Sequence, residues 1–436
     1  MMSYPNTQKT FFTLTFILAA FPILTFGIRS VISALWFILG IILYFGCPKT
    51  KPDLNKDIWF FLVPFITLII SLFYSNNLSF GVDILIKMLS FILFPLVFYL
   101  NIDKFKSNDK LKILYIFSFS VFILILYQMI KILFNLEFIL QDLSLDEIKI
   151  NGFGSINEVS NDVISRIKLR RFRNYSIGIS NTHTTYQGLW ICFSAFFIGI
   201  EFRKSSNKSH RILFAIILAI FIIWLYLISA RMPIVALLIS VTLSFFVFSK
   251  VQLKRKILIS SFPFLAMIFL LFFDNPFSSR IKEYYETGFT ILKNNSSTNE
   301  FNSSNVRNGI YYCDFKLIEK STMLGVGVGD VQDELNGCYR DFIKSKIYLW
   351  QNYNSHNQYA YFWLASGFLG FCSFLFLLTM NVLKSVKQKN IILFYLVCST
   401  SIIFLTENLL ARSDGVIFFS FFIGLFYFNQ KNRLSI

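Results

Sequence analysis

Charged residues are scarce in this sequence: they form 15% of its 436 residues, whereas 55% are hydrophobic and 19% aromatic. A chain of that composition has too little polar sequence to cover a soluble globule of its size. Apolar runs of roughly 20 residues recur along it, and each is long enough to cross a bilayer as a helix. We therefore predict an all-α polytopic membrane protein, a single membrane domain over residues 1–436 with about twelve transmembrane helices.

Several other signals are missing. The sequence has no internal repeat, no coiled-coil heptads and no Cys/His cluster with metal-ligand spacing. It also lacks a small-x-small cleavage site after its first apolar run, residues 11–28, which is long for the core of a signal peptide. We therefore interpret that run as the first span, retained in the protein.

The net charge of +17 raises the question of nucleic acid. The basic residues, however, recur mainly in alternate loops, and no folded basic module accompanies them. By the positive-inside rule these loops face the cytoplasm, and so do both termini. Orientation thus explains much of the charge, and nucleic acid is not an expected partner.

Two long polar connections fall on the opposite, outer side, over residues 135–185 and 274–357. Long connections between packed helices usually carry function, so the site is predicted there, chiefly in 274–357. Within it we predict a short amphipathic helix over 306–320 and a turn over 325–329. Cys313 and Cys338 both fall in this connection, where a disulfide can persist; the sequence leaves open whether they pair or are two small buried residues.

Three residues suit the chemistry of a phosphorylated substrate, and two of them stand at the edges of apolar runs. Arg231, in SARMPI, lies at a very short turn, where a guanidinium needs an anionic partner, a water-filled cavity or a path to the interface. Arg307 lies early in the predicted loop helix, and two such forked donors suit a diphosphate. His356 precedes a span, where a neutral imidazole can accept a proton from a sugar hydroxyl. The alternatives are an arginine snorkelling to lipid phosphates, a solvated loop charge and an interfacial histidine.

Further polar residues accompany these three. His183, in SNTHTTYQG before another span, is a second candidate of the same kind as His356, and Asn357 is a candidate for binding substrate. Glu407 and Arg412, in LTENLLARSDGV, bracket the last outer connection and are expected either to pair beside the site or to brace it. The glycines of GVGVGD lack a preceding strand and a following Lys-Ser/Thr pair, so we interpret them as a tight turn rather than a nucleotide-binding loop.

Four short segments follow one another in the second half of the chain: SARMPI, then Arg307 followed by MLGVGVGD, then SHNQYAYFWLASGFLG, and finally TENLLARSDGVIFF. Their order, spacing and common side resemble the O-antigen ligase superfamily, which also includes O-antigen polymerases. The resemblance covers about residues 229–422. The first half of the chain matches only as a row of helices.

The resemblance implies a metal-independent membrane glycosyltransferase without a cofactor, in the bacterial inner (cytoplasmic) membrane with its active site facing the periplasm. Such an enzyme moves a glycan from an undecaprenyl diphosphate carrier to an acceptor hydroxyl, here a lipid A core sugar, and inverts the anomeric centre. Carried onto this chain, Arg231 and Arg307 hold the diphosphate and His356 activates the hydroxyl. The other candidates for binding substrate are His183, Asn357, Glu407 and Arg412.

Three alternatives stay open. Within the superfamily, an O-antigen polymerase joins two lipid-linked glycans, and a protein O-oligosaccharyltransferase attaches them to protein hydroxyls. A ligase is favoured because the features lie in one main outer connection and the chain length is ordinary for it. The third alternative is a polysaccharide transporter or flippase, a class that usually carries ionisable groups near mid-span, of which this sequence has few.

One group of residues departs from the charge rule. The outer connection before His183 carries four arginines, Arg166, Arg170, Arg171 and Arg173. We hypothesise that they contact an anionic acceptor or the lipid surface. The alternative is a solvated amphipathic segment.

Overall fold

The computed structural model describes residues 4–46, 56–150, 154–270, 285, 288–294, 302–350 and 352–428. Helices account for 81% of the structure, and no strand occurs among these residues. The predicted all-α class is confirmed.

Besides four short 3-10 helices, the described residues up to Ser180 form nine α-helices. They are α1 Tyr4–Ala19, α2 Phe26–Phe45, α3 Trp59–Leu72, α4 Leu78–Met88, α5 Ser90–Asn101, α6 Ser107–Leu133, α7 Leu136–Leu140, α8 Leu145–Ile150 and α9 Asn161–Ser180. The later helices in the described ranges are α10 Thr184–Lys204, α11 Lys208–Leu227, α12 Arg231–Phe248, α13 Leu253–Leu270, α14 Ser303–Lys320, α15 Val331–Cys338, α16 Lys346–Trp350, α17 Gln358–Lys387, α18 Ile391–Ile403 and α19 Ser413–Tyr427.

Six helical stretches in the described part are long and apolar enough to cross a membrane, so the protein is a multi-pass membrane protein. They are Phe26–Phe45, Leu78–Lys104, Ser107–Leu133, Lys208–Leu227, Arg231–Phe248 and Gln358–Lys387. Two shorter apolar helices, α18 and α19, accompany them. The count of about twelve spans and the sides of the membrane stay predictions.

The last helix, α19, lies at the centre of the molecule. Its residues from Gly415 to Tyr427 are all buried, as expected for a helix that is apolar on every side. It packs against α5, α10, α17 and α18, and the Phe421 ring lies 5.3 Å from that of Phe98. The polar connection between α18 and α19 is therefore held at both ends by buried helices.

The connection over 135–185, predicted as a polar loop, contains α7, α8 and α9. Arg171 holds these short helices together: its Nε donates to Glu147 Oε1 at 2.6 Å, and its other nitrogens donate to the carbonyls of Gln141 at 2.8 Å and Asp142 at 3.1 Å. The Arg171 side chain is only 9% exposed. Its guanidinium is thus used within the protein rather than facing lipid or acceptor.

The predicted helix of the main connection is α14, which begins three residues before the expected position 306. A disulfide joins Cys313 of α14 to Cys338 at the end of α15, with the Cα atoms 5.8 Å apart. The question that the sequence left open is answered in favour of pairing. Because α14 also carries Arg307, the disulfide helps to fix the position of that arginine.

The GVGVGD segment forms the predicted turn and anchors the main connection to the apolar helices. Val326 N donates to Leu364 O of α17 at 2.7 Å, and the Asp330 carboxylate accepts from the backbone N–H groups of Asn76 and Asn77 at 2.7 and 2.8 Å. Gly325 has a φ of +74°, and a Cβ there would lie 2.4 Å from Leu364 O. Only glycine fits this contact without a shift of backbone.

Replacing Gly325 with alanine is expected to lower the thermal unfolding midpoint of the purified protein, because the left-handed backbone costs about 1–2 kcal/mol and the added methyl meets a carbonyl. Gly178→Ala is the matched control, since a Cβ at this helical position meets nothing within 4 Å and alanine favours helix by about 1 kcal/mol. Equal midpoints for the two variants would contradict this account of the turn.

Candidate active site

A cavity of about 450 Å³ lies where five separate parts of the chain meet. These parts are the α9–α10 junction, the turn between α11 and α12, the first turns of α14, the segment before α17 and the connection between α18 and α19. Six of the seven residues singled out from the sequence line it, namely Arg231, Arg307, His356, His183, Glu407 and Arg412. The structure thus brings these six residues together in one cavity, whereas their roles in binding and catalysis stay predictions.

The Glu407 carboxylate joins two of these residues. Arg307 Nη2 lies 3.4 Å from one carboxylate oxygen, and His356 Nδ1 lies 3.5 Å from the other. The Glu407 side chain is 12% exposed. Burial raises the pKa of this carboxyl, but the contact with His356 and the charge of Arg307 outweigh it and lower the pKa below its usual value. Glu407 is therefore ionised at neutral pH and pairs with Arg307 and His356 rather than with Arg412.

The backbone at His356 is held in an unusual conformation. Its φ is +43°, a left-handed value that few residues other than glycine adopt, although histidine does so more often than most. His356 N donates to Asn354 Oδ1 at 3.0 Å. The preceding residue, the buried Ser355, donates from its hydroxyl to Asn408 Oδ1 at 3.1 Å and accepts from Asn408 Nδ2 at 2.8 Å. The imidazole is thus set against Glu407 by its local backbone.

Asn357 has a different position from the other candidates and is not among the residues that line the cavity. It is the N-cap of α17, and its side-chain oxygen accepts from the N–H groups of Tyr359 at 2.9 Å and Ala360 at 3.0 Å. Such a cap satisfies donors that the first turn of a helix leaves open. Contact between Asn357 and substrate stays a prediction.

Arg231 and His183 enter the cavity from neighbouring helix ends. Arg231 is the first residue of α12, directly after the short turn that follows α11. Gly188 of α10 lets this turn approach closely, because a Cβ there would lie 2.8 Å from the Ala230 side chain. His183 is the N-cap of α10. Burial and the charges of nearby Arg412 and Arg173 lower the pKa of His183, so this imidazole is neutral at pH 7.

Two features in or beside the site could not be singled out from the sequence. Arg173 lines the cavity, but nothing in the sequence separated it from the neighbouring arginines of its cluster. Arg29 forms a buried ion pair with Asp414 at the start of α19, and its guanidinium also lies 5.7 Å from the Trp190 ring centroid. This ion pair joins residues 385 positions apart, and no local pattern announces such a contact.

A protein-family model described as O-antigen ligase matches residues 213–375. The matched stretch contains Arg231, Arg307 and His356. This match confirms the predicted resemblance to the O-antigen ligase superfamily over residues 213–375. Members of the superfamily are membrane glycosyltransferase-like enzymes. A comparison with curated proteins gives no match.

The Ser355–Asn408 contact can be tested with single and double variants. Asn408→Ala removes both hydrogen bonds between the two side chains and leaves the buried Ser355 hydroxyl only its bond to the Asn357 carbonyl at 3.2 Å. We expect a loss of about 1–3 kcal/mol of unfolding free energy. The double variant Ser355→Ala/Asn408→Ala removes both groups, so its loss is expected to be clearly smaller than the sum of the two single losses. Thermal unfolding of the four proteins measures this coupling, and additive losses would argue against the contact.

Proposed function

We propose that this protein is an O-antigen ligase. It transfers a glycan from undecaprenyl diphosphate to a hydroxyl of a lipid A core sugar, at the periplasmic face of the bacterial inner membrane. The observation that supports this most directly is the convergence of Arg231, Arg307 and His356 in one cavity. Two forked cations and one imidazole are the groups that transfer from a diphosphate carrier requires.

The reaction is a displacement at the anomeric carbon. The acceptor hydroxyl gives its proton to the His356 imidazole, and its oxygen forms a bond to the anomeric carbon. The bond from that carbon to the diphosphate oxygen breaks, and the electron pair leaves with the carrier. Attack from the face opposite the leaving group inverts the anomeric centre, and no step requires a metal ion or a cofactor.

Arg231 and Arg307 act on the leaving group. Negative charge grows on the diphosphate as the bond breaks, and guanidinium groups fixed beside it stabilise this charge more than they stabilise the ground state. Arg307 is held by Glu407 and by its place on α14. It therefore needs little reorganisation during the reaction.

Glu407 orients the general base. A carboxylate near Nδ1 favours the tautomer that carries its proton there, so that Nε2 is free to accept the proton of the acceptor. The same negative charge stabilises the imidazolium that forms afterwards. This arrangement supports a base role for His356 over that of an interfacial histidine bound to headgroups.

His356→Ala, Arg231→Ala and Arg307→Ala are each expected to abolish or strongly reduce attachment of O-antigen, because removal of one such group commonly costs about 100- to 1000-fold in rate. Each variant is expressed in a strain that lacks its own ligase, and the lipopolysaccharide ladder is compared at equal protein level. Bare core together with undecaprenyl-linked polymer of normal length is the expected result.

Matched controls are His210→Ala, at an exposed position of α11, and Arg340→Ala, whose side chain is 67% exposed. Both are expected to give a normal ladder. If the three site variants still transfer a single repeat to core, the protein is a polymerase. If they instead lose glycan from a protein acceptor, it is a protein O-oligosaccharyltransferase. An unchanged ladder would remove the catalytic assignment and favour a transporter.

Glu407→Gln keeps the shape of the side chain but removes its charge. We expect the transfer rate at neutral pH to fall by at least about tenfold, because the imidazole loses both its orientation and the stabilisation of its protonated form. Glu319→Gln, at an exposed position of α14, is the control and is expected to be fully active. A Glu407→Gln protein with the normal rate and pH profile would show that the carboxylate does not act through His356.

A further inference from the structure

The cavity holds more positive charge than a diphosphate needs. Four of its lining residues are arginines, Arg173, Arg231, Arg307 and Arg412, against a single carboxylate, Glu407. A diphosphate that links a carrier to a glycan has a single negative charge on each phosphate. Even with Glu407 subtracted, the four arginines exceed that charge. The proposed function assigns Arg231 and Arg307 to the diphosphate, which leaves Arg173 and Arg412 without an assigned ligand.

These two arginines are associated with a different part of the site from Arg307. Arg307 and His356 share the Glu407 carboxylate. Arg173 Nη2 instead donates to Thr184 Oγ1 at 3.4 Å, and the Arg412 guanidinium lies 6.0 Å from the Tyr186 ring centroid. Thr184 and Tyr186 belong to the first turn of α10, so the two arginines flank His183 at the helix N-terminus, which itself favours anions.

Arg173 has the environment of a ligand-binding group rather than of a structural one. Its Nε is buried and has no hydrogen-bond partner among the described residues, nor does a described carboxylate lie within 4.0 Å of its guanidinium. Burial and the charge of neighbouring Arg170 lower the pKa of Arg173. The two other arginines differ from it, since Arg171 donates to the Glu147 carboxylate and Arg170 is exposed to solvent. Arg173 as a whole is half-buried. A partly buried guanidinium without a counter-charge is costly, and an anionic ligand would offset that cost.

We propose that Arg173 and Arg412 form an oxyanion subsite, which binds a phosphoryl or carboxylate group on the acceptor glycan beside the hydroxyl that is glycosylated. The acceptor is favoured over the donor because the donor's charged part is its leaving group, already matched by Arg231 and Arg307. Arg412 is also exposed, so the subsite opens outward where a glycan head enters. This inference rests on the proposed function.

The test is binding of core oligosaccharide to the purified protein by calorimetry, without donor, so that it does not depend on turnover. Three probes are used: the intact oligosaccharide, the same after phosphatase treatment, and the same after carboxyl reduction. Arg173→Gln and Arg412→Gln are expected to bind the intact probe about tenfold more weakly than the unaltered protein, since loss of a charge-assisted hydrogen bond is worth about that factor. Arg170→Gln is the matched control and is expected to bind normally.

One of the two treatments is expected to weaken binding to the unaltered protein to the level of the variants, and that treatment identifies phosphate or carboxylate as the ligand. Equal affinity of all three probes for the unaltered protein, or normal affinity of both Gln variants, would overturn the proposal. Arg412 is exposed, so its variant is expected to fold even if that of Arg173 does not.

Turnover with undecaprenyl diphosphate-linked glycan is then measured separately. Transfer that requires His356 but has the same acceptor KM in Arg173→Gln would leave the ligase proposal standing and contradict the subsite. A rise in the donor KM instead would assign Arg173 to the diphosphate or to its carrier, and would also contradict the acceptor role.

Discussion

The Glu407 carboxylate is the group around which the cavity is arranged. It lies between two of the apolar helices, α18 and α19, yet its partners come from elsewhere: Arg307 from α14 of the main polar connection and His356 from the segment before α17. A carboxylate that is 12% exposed needs such partners, because burying a charge without them is costly. The same two contacts set the imidazole and the guanidinium at fixed positions relative to each other.

This arrangement requires that the backbone around Glu407 be fixed as well. Tyr186 of α10 donates to the carbonyl of Asn408 at 3.2 Å, and Leu410 N donates to the Gln358 side chain at 2.8 Å. These bonds join α10 and α17 to the connection that precedes α19. The left-handed backbone of His356 costs roughly 1–2 kcal/mol, and the surrounding hydrogen bonds offset it. The conformational cost of the site is thus met by contacts that also position Glu407.

Six of the seven charged and histidine residues in the lining were predicted from the sequence, since polar residues beside apolar runs stand out against their neighbours. Sequence reasoning did not identify the partners, because Arg307 and Glu407 are 100 positions apart and tertiary structure decides which charges meet. The early start of α14 was missed for a local reason. The Asn302 side chain accepts from the N–H groups of Ser304 and Asn305, both at 2.9 Å, and this cap precedes the amphipathic pattern that predicted the helix from residue 306. The helices of 135–185 were missed because Arg171 stabilises them through contacts that sequence periodicity does not record.

A cavity lined by several arginines also limits how binding energy can be used. In the proposed reaction, guanidinium groups would bind the diphosphate of the substrate as well as the leaving group, and binding that is equal in both states lowers KM without raising kcat. Only the charge that develops as the glycosidic bond breaks contributes to the rate. Arg307 is restrained by Glu407 and by a helix that the Cys313–Cys338 disulfide fixes, so it cannot follow the phosphate freely from one state to the next. In the proposed reaction, a fixed Arg307 therefore stabilises whichever of the two states, bound substrate or departing diphosphate, better matches its position. Glu407, which restrains Arg307, thus takes part in catalysis through this arginine as well as through His356.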